Sequence, residues 1–384
     1  MSKEVCIVSA RRTPQGRFLG ALAKFSAVDL AVEAGRATLC AVDPDSIDLV
    51  ILGNVLAAGQ GMNIARQVAL RLGLPARVPA YTVNMMCASG MHAVALGAQA
   101  VLAGEAKAVL CGGTESMSNA PYLLDGARAG YKVGDGKLVD ALLRDGLCDT
   151  ITGEHMGMLA ERLAEQYGIS RQEQDAFALR SHQRYFRALQ AGLYADELVP
   201  IAGLERDEHA RPDTSLEKLA TLKPAFKPDG TVTAANASGI NDGAAMMVVC
   251  DLQAAADHGW QPLAIMEAWT RVGCEPRLMG LGPVYAVRSL CAQAACNPAE
   301  FDTIEINEAF AAQVLACLRE LQLEADDRLN PDGGAIAVGH PIGASGARIL
   351  VHLAHRVAQG KSRRPLAALC VGGGMGMAAT LLPA

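Results

Sequence analysis

The sequence predicts an α/β fold made of two copies of one unit, with a different region inserted between them. Three observations carry that reading. Apolar runs of strand length alternate with segments of helix length towards both ends of the chain. Equivalent landmarks recur at near-constant spacing: Asn54 and Asn307, Ala88 and Ala344, and Cys111 and Cys370 lie 253, 256 and 259 residues apart. Coincidence would scatter those values. Between the copies, residues 114–244 break the alternation with Gly-rich turns and charged helix candidates.

Taken in order, residues 5–9 read as a buried strand, followed by the loop Arg11-Arg12-Thr13-Pro14. Residues 27–41 have helical periodicity, and Asp43-Pro44 marks the stop. Residues 46–51 lead into a strand ending at Gly53-Asn54, and 64–72 form the next helix. A strand then precedes Cys87, a helix covers 88–102, and a strand at 106–111 ends in Gly112-Gly113. Alternation of this kind predicts a mostly parallel sheet covered on both faces. The second copy repeats the order: helix at 283–295, turn at Asn297-Pro298, strand at 301–307. Ala344-Ser345-Gly346 opens a helix as Ala88-Ser89-Gly90 does, and Cys370-Val371-Gly372-Gly373 closes a strand. Helices are expected at 154–167 and 171–191 in the insertion, which would cover a crevice where the copies meet. The resulting division is 1–113 with 245–250 for the first half, 114–244 for the insertion and 251–384 for the second half.

Composition narrows the functional classes. The chain has 384 residues, 51% hydrophobic and 19% charged, with a net charge of -6. That charge gives no attraction for nucleic acid, and any anionic ligand must be caught by local donors. Eleven cysteines without a C-x-x-C pair point to reduced thiols and a cytoplasmic location. Met1-Ser2-Lys3-Glu4 runs straight into a strand, so no secretory leader is expected, and no apolar stretch reads as a membrane span.

Chemistry concentrates at Val83-Asn84-Met85-Met86-Cys87-Ala88-Ser89-Gly90. A strand, a sharp turn and a helix there would expose the Cys87 thiol at a helix N-terminus, which favours a thiolate. In the second copy, Gly339-His340-Pro341-Ile342-Gly343 precedes the equivalent helix, so the internal symmetry brings His340 towards Cys87. An imidazole is a natural acceptor for a thiol proton. Cys370 and Asn307-Glu308 end strands facing the same crevice. Each has a bland alternative: a structural histidine, a filler cysteine, or an Asn that caps the next helix. His352 and His355 lie on an amphipathic helix, where a packed or solvated face is a simpler account than a metal site. Gly372-Gly373-Gly374-Met375-Gly376 lacks the Lys-Ser/Thr of a P-loop but suits a tight turn whose N–H groups hold an oxyanion.

These motifs together resemble the thiolase family, of the acetyl-CoA acetyltransferase or 3-ketoacyl-CoA thiolase type. Asn84-Met85-Met86-Cys87-Ala88-Ser89-Gly90, Gly112-Gly113-Thr114-Glu115-Ser116-Met117-Ser118 and Asn236-Ala237-Ser238-Gly239-Ile240-Asn241-Asp242-Gly243 carry the likeness. Asn307-Glu308-Ala309-Phe310-Ala311, Gly339-His340-Pro341-Ile342-Gly343-Ala344-Ser345-Gly346 and Cys370-Val371-Gly372-Gly373-Gly374 complete it. The resemblance implies two βαβαβαββ halves packed as a layered α/β/α/β/α core with an inserted loop domain. It implies Cys87 as the acylated nucleophile, His340 as its proton acceptor with a water held by Asn307, and Cys370 as the acid/base of the Claisen step. Backbone N–H groups of Cys87 and Gly372 would form an oxyanion hole. His155, Ser238, Phe226 and Phe310 would hold the pantetheine arm of CoA, Arg211 would lie near the nucleotide end, and Met156 and Met279 would shape the acyl pocket. CoA and acyl-CoA are implied as substrates rather than resident cofactors, no metal is expected, and the assembly would be a homotetramer, a dimer of dimers. Met85, Met86 and Met91 suggest a pocket tolerant of varied acyl shapes. The 199–207 connection is shorter than in many relatives and poor in basic residues, and Ala235 stands where glycine is common. A β-ketoacyl synthase would place His or Asn where Cys370 stands. A cysteine hydrolase or an inactive lipid-binding relative gives Cys370 no task.

Overall fold

The computed structural model describes residues 4–323 and 327–384; Met1, Ser2 and Lys3, part of the stretch on which the absence of a leader was read, lie outside them. The first copy runs β1 (Val5–Arg12), α1 (Ala27–Thr38), β2 (Leu49–Gly53), α2 (Ile64–Arg71), β3 (Ala80–Val83), α3 (Ser89–Ala103) and β4 (Ala108–Ser116). The insertion follows, with α4 (Met156–Gln166) and α5 (Arg171–Gln190), and β5 (Asn241–Asp251) returns to the sheet. The second copy is β6 (Ala264–Gly273), α6 (Gly282–Gln293), β7 (Thr303–Ile306), α7 (Ala311–Leu321), α8 (Ser345–Ala358), β8 (Pro365–Val371) and β9 (Met375–Leu382).

The strand order β7-β8-β9-β6-β1-β5-β4-β2-β3 shows the duplication directly. The first copy contributes β1-β5-β4-β2-β3 and the second β6-β9-β8-β7. The counterpart of β3 is reduced to one parallel bridge between Ile304 and Leu329. The two sheets join only where Cys6 and Ile7 of β1 pair with Ile265 and Ala264 of β6. The expectation of a mostly parallel sheet is corrected: β3, β2 and β4 are parallel, as are β7 and β8, but every other pairing is antiparallel. The reason is local. β9 follows β8 through the Gly372–Gly374 turn, and strands joined so tightly can only run antiparallel.

Three hydrophobic clusters define five layers. The middle one combines Val94 and Val101 of α3, Leu350 and Leu353 of α8, and the inner faces of both sheets. Leu30 of α1 and Val68 of α2 cover the outer face of one sheet. Val287 of α6, Val314 of α7 and Leu159 of α4 cover the other. The α3 and α8 backbones meet closely: a Cβ added at Gly90 would lie 2.9 Å from both Ala347 and the Gly343 carbonyl. Residues 86–103 are long and apolar enough for a membrane span, contrary to the sequence reading, but most of the segment is buried between the sheets.

His352 and His355 are buried rather than solvated. Fully buried Arg12 pairs with Glu197 at 2.6 Å and Asp207 at 2.7 Å, and His352 bridges Glu197 (2.8 Å) and Asp332 (3.1 Å). This network ties β1, the segment after α5 and α8 together. Burial alone would lower the His352 imidazole, but Glu197 and Asp332 outweigh it and hold it up at about 9. A raised imidazole stabilises fully below its unfolded value of 6.5 and loses that contribution as pH rises through about 9. The melting temperature is therefore expected to fall between pH 7 and pH 10. His352→Gln should remove most of that alkaline loss and cost about 3 kcal/mol at neutral pH in chemical denaturation. An unchanged alkaline arm would exclude this assignment.

Candidate active site

The chain reaches the site from β3 through a turn fastened by its own side chains. Asn84 Oδ1 accepts from the Met86 N–H (2.9 Å); Ser89 Oγ accepts from the Met85 N–H (2.8 Å) and donates to the Met86 carbonyl (2.7 Å). These bonds hold Met86 at φ 47°, a left-handed conformation that costs a non-glycine residue about 1 kcal/mol. The strained turn presents Cys87 just ahead of α3, whose N-cap Ala88 makes no side-chain bond. Burial pushes the Cys87 thiol up to about 11, against the N–H groups of Gly372 and Cys87 itself that face the sulfur, with Glu115 adding to the rise. The thiolate expected at a helix N-terminus is thereby corrected: burial outweighs the N–H groups, the sulfur rests as a thiol, and deprotonation must be coupled to the reaction.

His340 comes from the loop ahead of α8. Its N–H is held by Asn241 Oδ1 at 2.9 Å, at the start of β5. Its ring Nδ1 lies 2.5 Å from Ser345 Oγ, and Ser345 spends its one hydroxyl proton on the Pro341 carbonyl (2.8 Å). Ser345 must then accept from Nδ1–H, which leaves Nε2 as the basic nitrogen. Burial lowers His340 to about 3, with Arg348 contributing, so the ring is neutral across the working pH range. Asn307, held by the Ala368 carbonyl (2.9 Å), stands behind the ring with Nδ2 at 3.5 Å from Nδ1, and its buried Oδ1 has no partner among the described residues. With Nδ1 protonated, the amide is better turned so that its oxygen faces the ring and its N–H groups are free. Asn307 does not cap α7, whose N-cap is Phe310. Glu308 instead accepts from Ser181 (2.7 Å) and Asn330 (2.7 Å).

Cys370 lies in β8 opposite Gly376, almost fully buried. Burial, then the nearby Cys87 sulfur, raises its thiol well above the usual range. A cavity of about 460 Å³ takes in Cys87, His340, Cys370 and Gly372 among its lining residues. Its walls include His155, Met156, Phe226, Ser238, Met279 and Phe310, and exposed Arg211 borders it. Every residue to which the resemblance gave a catalytic, oxyanion-hole, CoA-binding or acyl-pocket role therefore lines this cavity except Asn307, which touches His340. His155 stacks on Phe226 (4.8 Å between ring centres), and Phe226 meets Phe310 edge-on (6.2 Å). Of those six wall residues, four lie within residues 114–244.

Two expectations change. Met91 is in the middle-layer core and Met85 does not line the cavity; of the three methionines only Met86 does. Met91 lies within α3 and faces the middle layer, and Met85 packs into the same cluster from the turn ahead of the helix. The lining also includes Arg17, Met117, Leu147, His209 and Ile342, none singled out from sequence. Met117 and Ile342 stood inside the quoted motifs; nothing in the sequence marked the others. Among the described residues no group of three or more His, Cys, Asp or Glu converges as a metal site requires.

Residues 5–253 match the family described as "Thiolase, N-terminal domain", and residues 260–382 match "Thiolase, C-terminal domain". The chain is 48% identical to acetyl-CoA acetyltransferase of Chromobacterium violaceum over 98% of each chain. Its fold resembles the crystal structure of human mitochondrial 3-ketoacyl-CoA thiolase in complex with CoA, with a TM-score of 0.97 at 43% identity, covering 100% of this chain and 98% of that one. It also resembles the Bacillus anthracis acetyl-CoA acetyltransferase, with a TM-score of 0.96 at 40% identity and 99% coverage of each chain.

Proposed function

This chain belongs to the thiolase family, and from that premise we propose that it makes and cleaves 3-ketoacyl-CoA, acetoacetyl-CoA foremost, through an acyl-enzyme on Cys87. One observation carries the reading: two sulfurs, a neutral imidazole and two N–H groups aimed at one sulfur share a single cavity.

Acyl transfer begins when Cys87 attacks the thioester and gives its proton to Nε2 of His340. The new S–C bond replaces the old one, and CoA leaves as a thiol with the proton His340 carried. Both ends of this exchange are thioesters, so little free energy is trapped between steps. The N–H groups of Cys87 and Gly372 hold the acyl oxygen as it gains charge, while His340 and a water held by Asn307 serve the first thioester. In the Claisen step the Cys370 thiol passes its proton to Nε2 of His340, now free again, and the resulting thiolate takes the α-proton of acetyl-CoA. The carbanion attacks the acyl carbon on Cys87, a C–C bond forms, the Cys87 C–S bond breaks, and the departing sulfur takes back a proton from His340. In thiolysis Cys370 instead deprotonates CoA. Arg211 borders the cavity as a local catch for the nucleotide phosphates, which a chain of net charge -6 does not attract from afar.

Thiolysis measured over 3-ketoacyl-CoA substrates of increasing length tests the substrate. kcat/KM should be highest for acetoacetyl-CoA and fall about tenfold or more for the longest chains. A flat profile would favour the second reading, a broad-range 3-ketoacyl-CoA thiolase. That alternative has support in the flexible wall of Met86, Met117 and Met156. The assembly we propose is a homotetramer, a dimer of dimers. Two surfaces support self-association: the edge strand β3 with exposed Tyr81, and a hairpin pairing Tyr122–Leu124 with Leu138–Asp140 that exposes Tyr122, Leu124 and Leu138. A monomer by light scattering would contradict it. Eleven free thiols support a cytoplasmic setting.

A further inference from the structure

We propose that Glu115 is a positioning residue for this chemistry: its buried carboxylate fastens the loop after β2 to the loop that carries His340, and so sets the gap across which Cys87 and His340 face each other. The inference rests on the thiolase reading above. Glu115 lies near the end of β4, opposite Gly243 of β5, and has no solvent exposure. Four N–H groups converge on it. Asn54 Nδ2 (2.7 Å) and Leu56 N (3.1 Å) donate to Oε1; Val55 N (3.0 Å) and Gly343 N (2.9 Å) donate to Oε2. Three donors belong to the first copy, and the fourth stands three residues past His340 in the second. One side chain therefore closes the seam between the copies beside the reacting groups.

Four donors and no acceptor suit a carboxylate ion rather than a neutral acid or an amide. The fit has no slack, since a Cβ on Gly343 would stand 2.7 Å from Oε2. Burial pushes the Glu115 carboxyl up to about 7 against these donors, so it is mainly ionised at pH 8, where its charge helps keep the Cys87 proton in place. Of the titratable groups around it, the Cys87 thiol feels its charge, and His340 stands three residues before its donor Gly343. Asp242, next along β5, is turned to Ser118 (2.9 and 2.6 Å).

The test combines acetoacetyl-CoA thiolysis with alkylation of Cys87 by iodoacetamide at pH 8. Glu115→Gln sets an NH2 group among N–H donors: kcat should fall about 100-fold with KM within about twofold. With the charge gone, alkylation should run roughly threefold faster. Glu115→Asp keeps the charge but loses the reach, so kcat should fall while alkylation stays at the wild-type rate. Asn54→Ala withdraws one donor and should lower kcat in the same way, which keeps the proposal testable if the Glu115 variants do not fold. A residue that only packs would leave the alkylation rate alone. Wild-type kcat in these variants, or unchanged alkylation in Glu115→Gln, overturns the proposal. A wild-type protein that neither turns over nor acetylates Cys87 overturns the thiolase reading instead.

Discussion

Cys370→Ala should yield a protein that takes one acetyl group from acetyl-CoA onto Cys87 and then stops. The first half-reaction needs Cys87, His340 and the N–H groups of Cys87 and Gly372, none of which the substitution touches. The second needs a base at the α-carbon, and among the described lining residues the one other thiol is Cys87 itself, which is occupied as the thioester. His340 cannot substitute, because an imidazole held down at about 3 is too weak a base for an α-proton. Condensation should fall about 1,000-fold or more, within the range lost with a general base. Intact-protein mass would show the stalled acetyl-enzyme. Condensation at the wild-type rate would remove Cys370 from this role.

Cys87→Ser should abolish both directions, by about 10⁴-fold or more, and leave no acetylated species. A hydroxyl is a much poorer nucleophile at neutral pH than a thiol, and a buried imidazole with so low a pKa gives it little help. The pH dependence gives an independent check. With the Cys87 thiol near 11, its alkylation in the Cys370→Ala protein should rise about tenfold per pH unit from 7 to 9. A plateau near pH 7 would mean that the resting sulfur is already a thiolate, and that burial does not govern it.

The repeat was legible in the sequence because it is written in landmarks that tertiary packing cannot rearrange: Asn54 and Asn307 at strand ends, Ala88 and Ala344 at helix starts. Strand direction was less so. Alternating elements suggested a parallel sheet, whereas the direction of β5 and β9 depends on which neighbour each meets after the insertion or the Gly372–Gly374 turn. The reacting groups were legible for a similar reason, each standing at the end of a strand or the start of a helix. The residues that hold them were not. Glu115, Ser345 and Asn241 act through bonds to backbone, amide or ring atoms 59 or more residues away, or four to five residues away in the turn ahead of α8, and no spacing announces such a partner. Met91 misled because proximity in sequence to Cys87 is not proximity in space once a helix begins at Ser89.

The meeting of α3 and α8 has a consequence for how such an enzyme can diverge. Beneath the reacting groups the chain has only hydrogen atoms to spare: a Cβ at Gly113 would stand 2.1 Å from the Gly343 carbonyl, and one at Gly90 is scarcely better placed. The floor of the crevice therefore cannot be widened or narrowed by small steps, since any added carbon drives the halves apart and the sulfurs with them. New acyl preferences have to be invented at the rim, in side chains such as Met86 and Leu147 that can change size without moving the foundations.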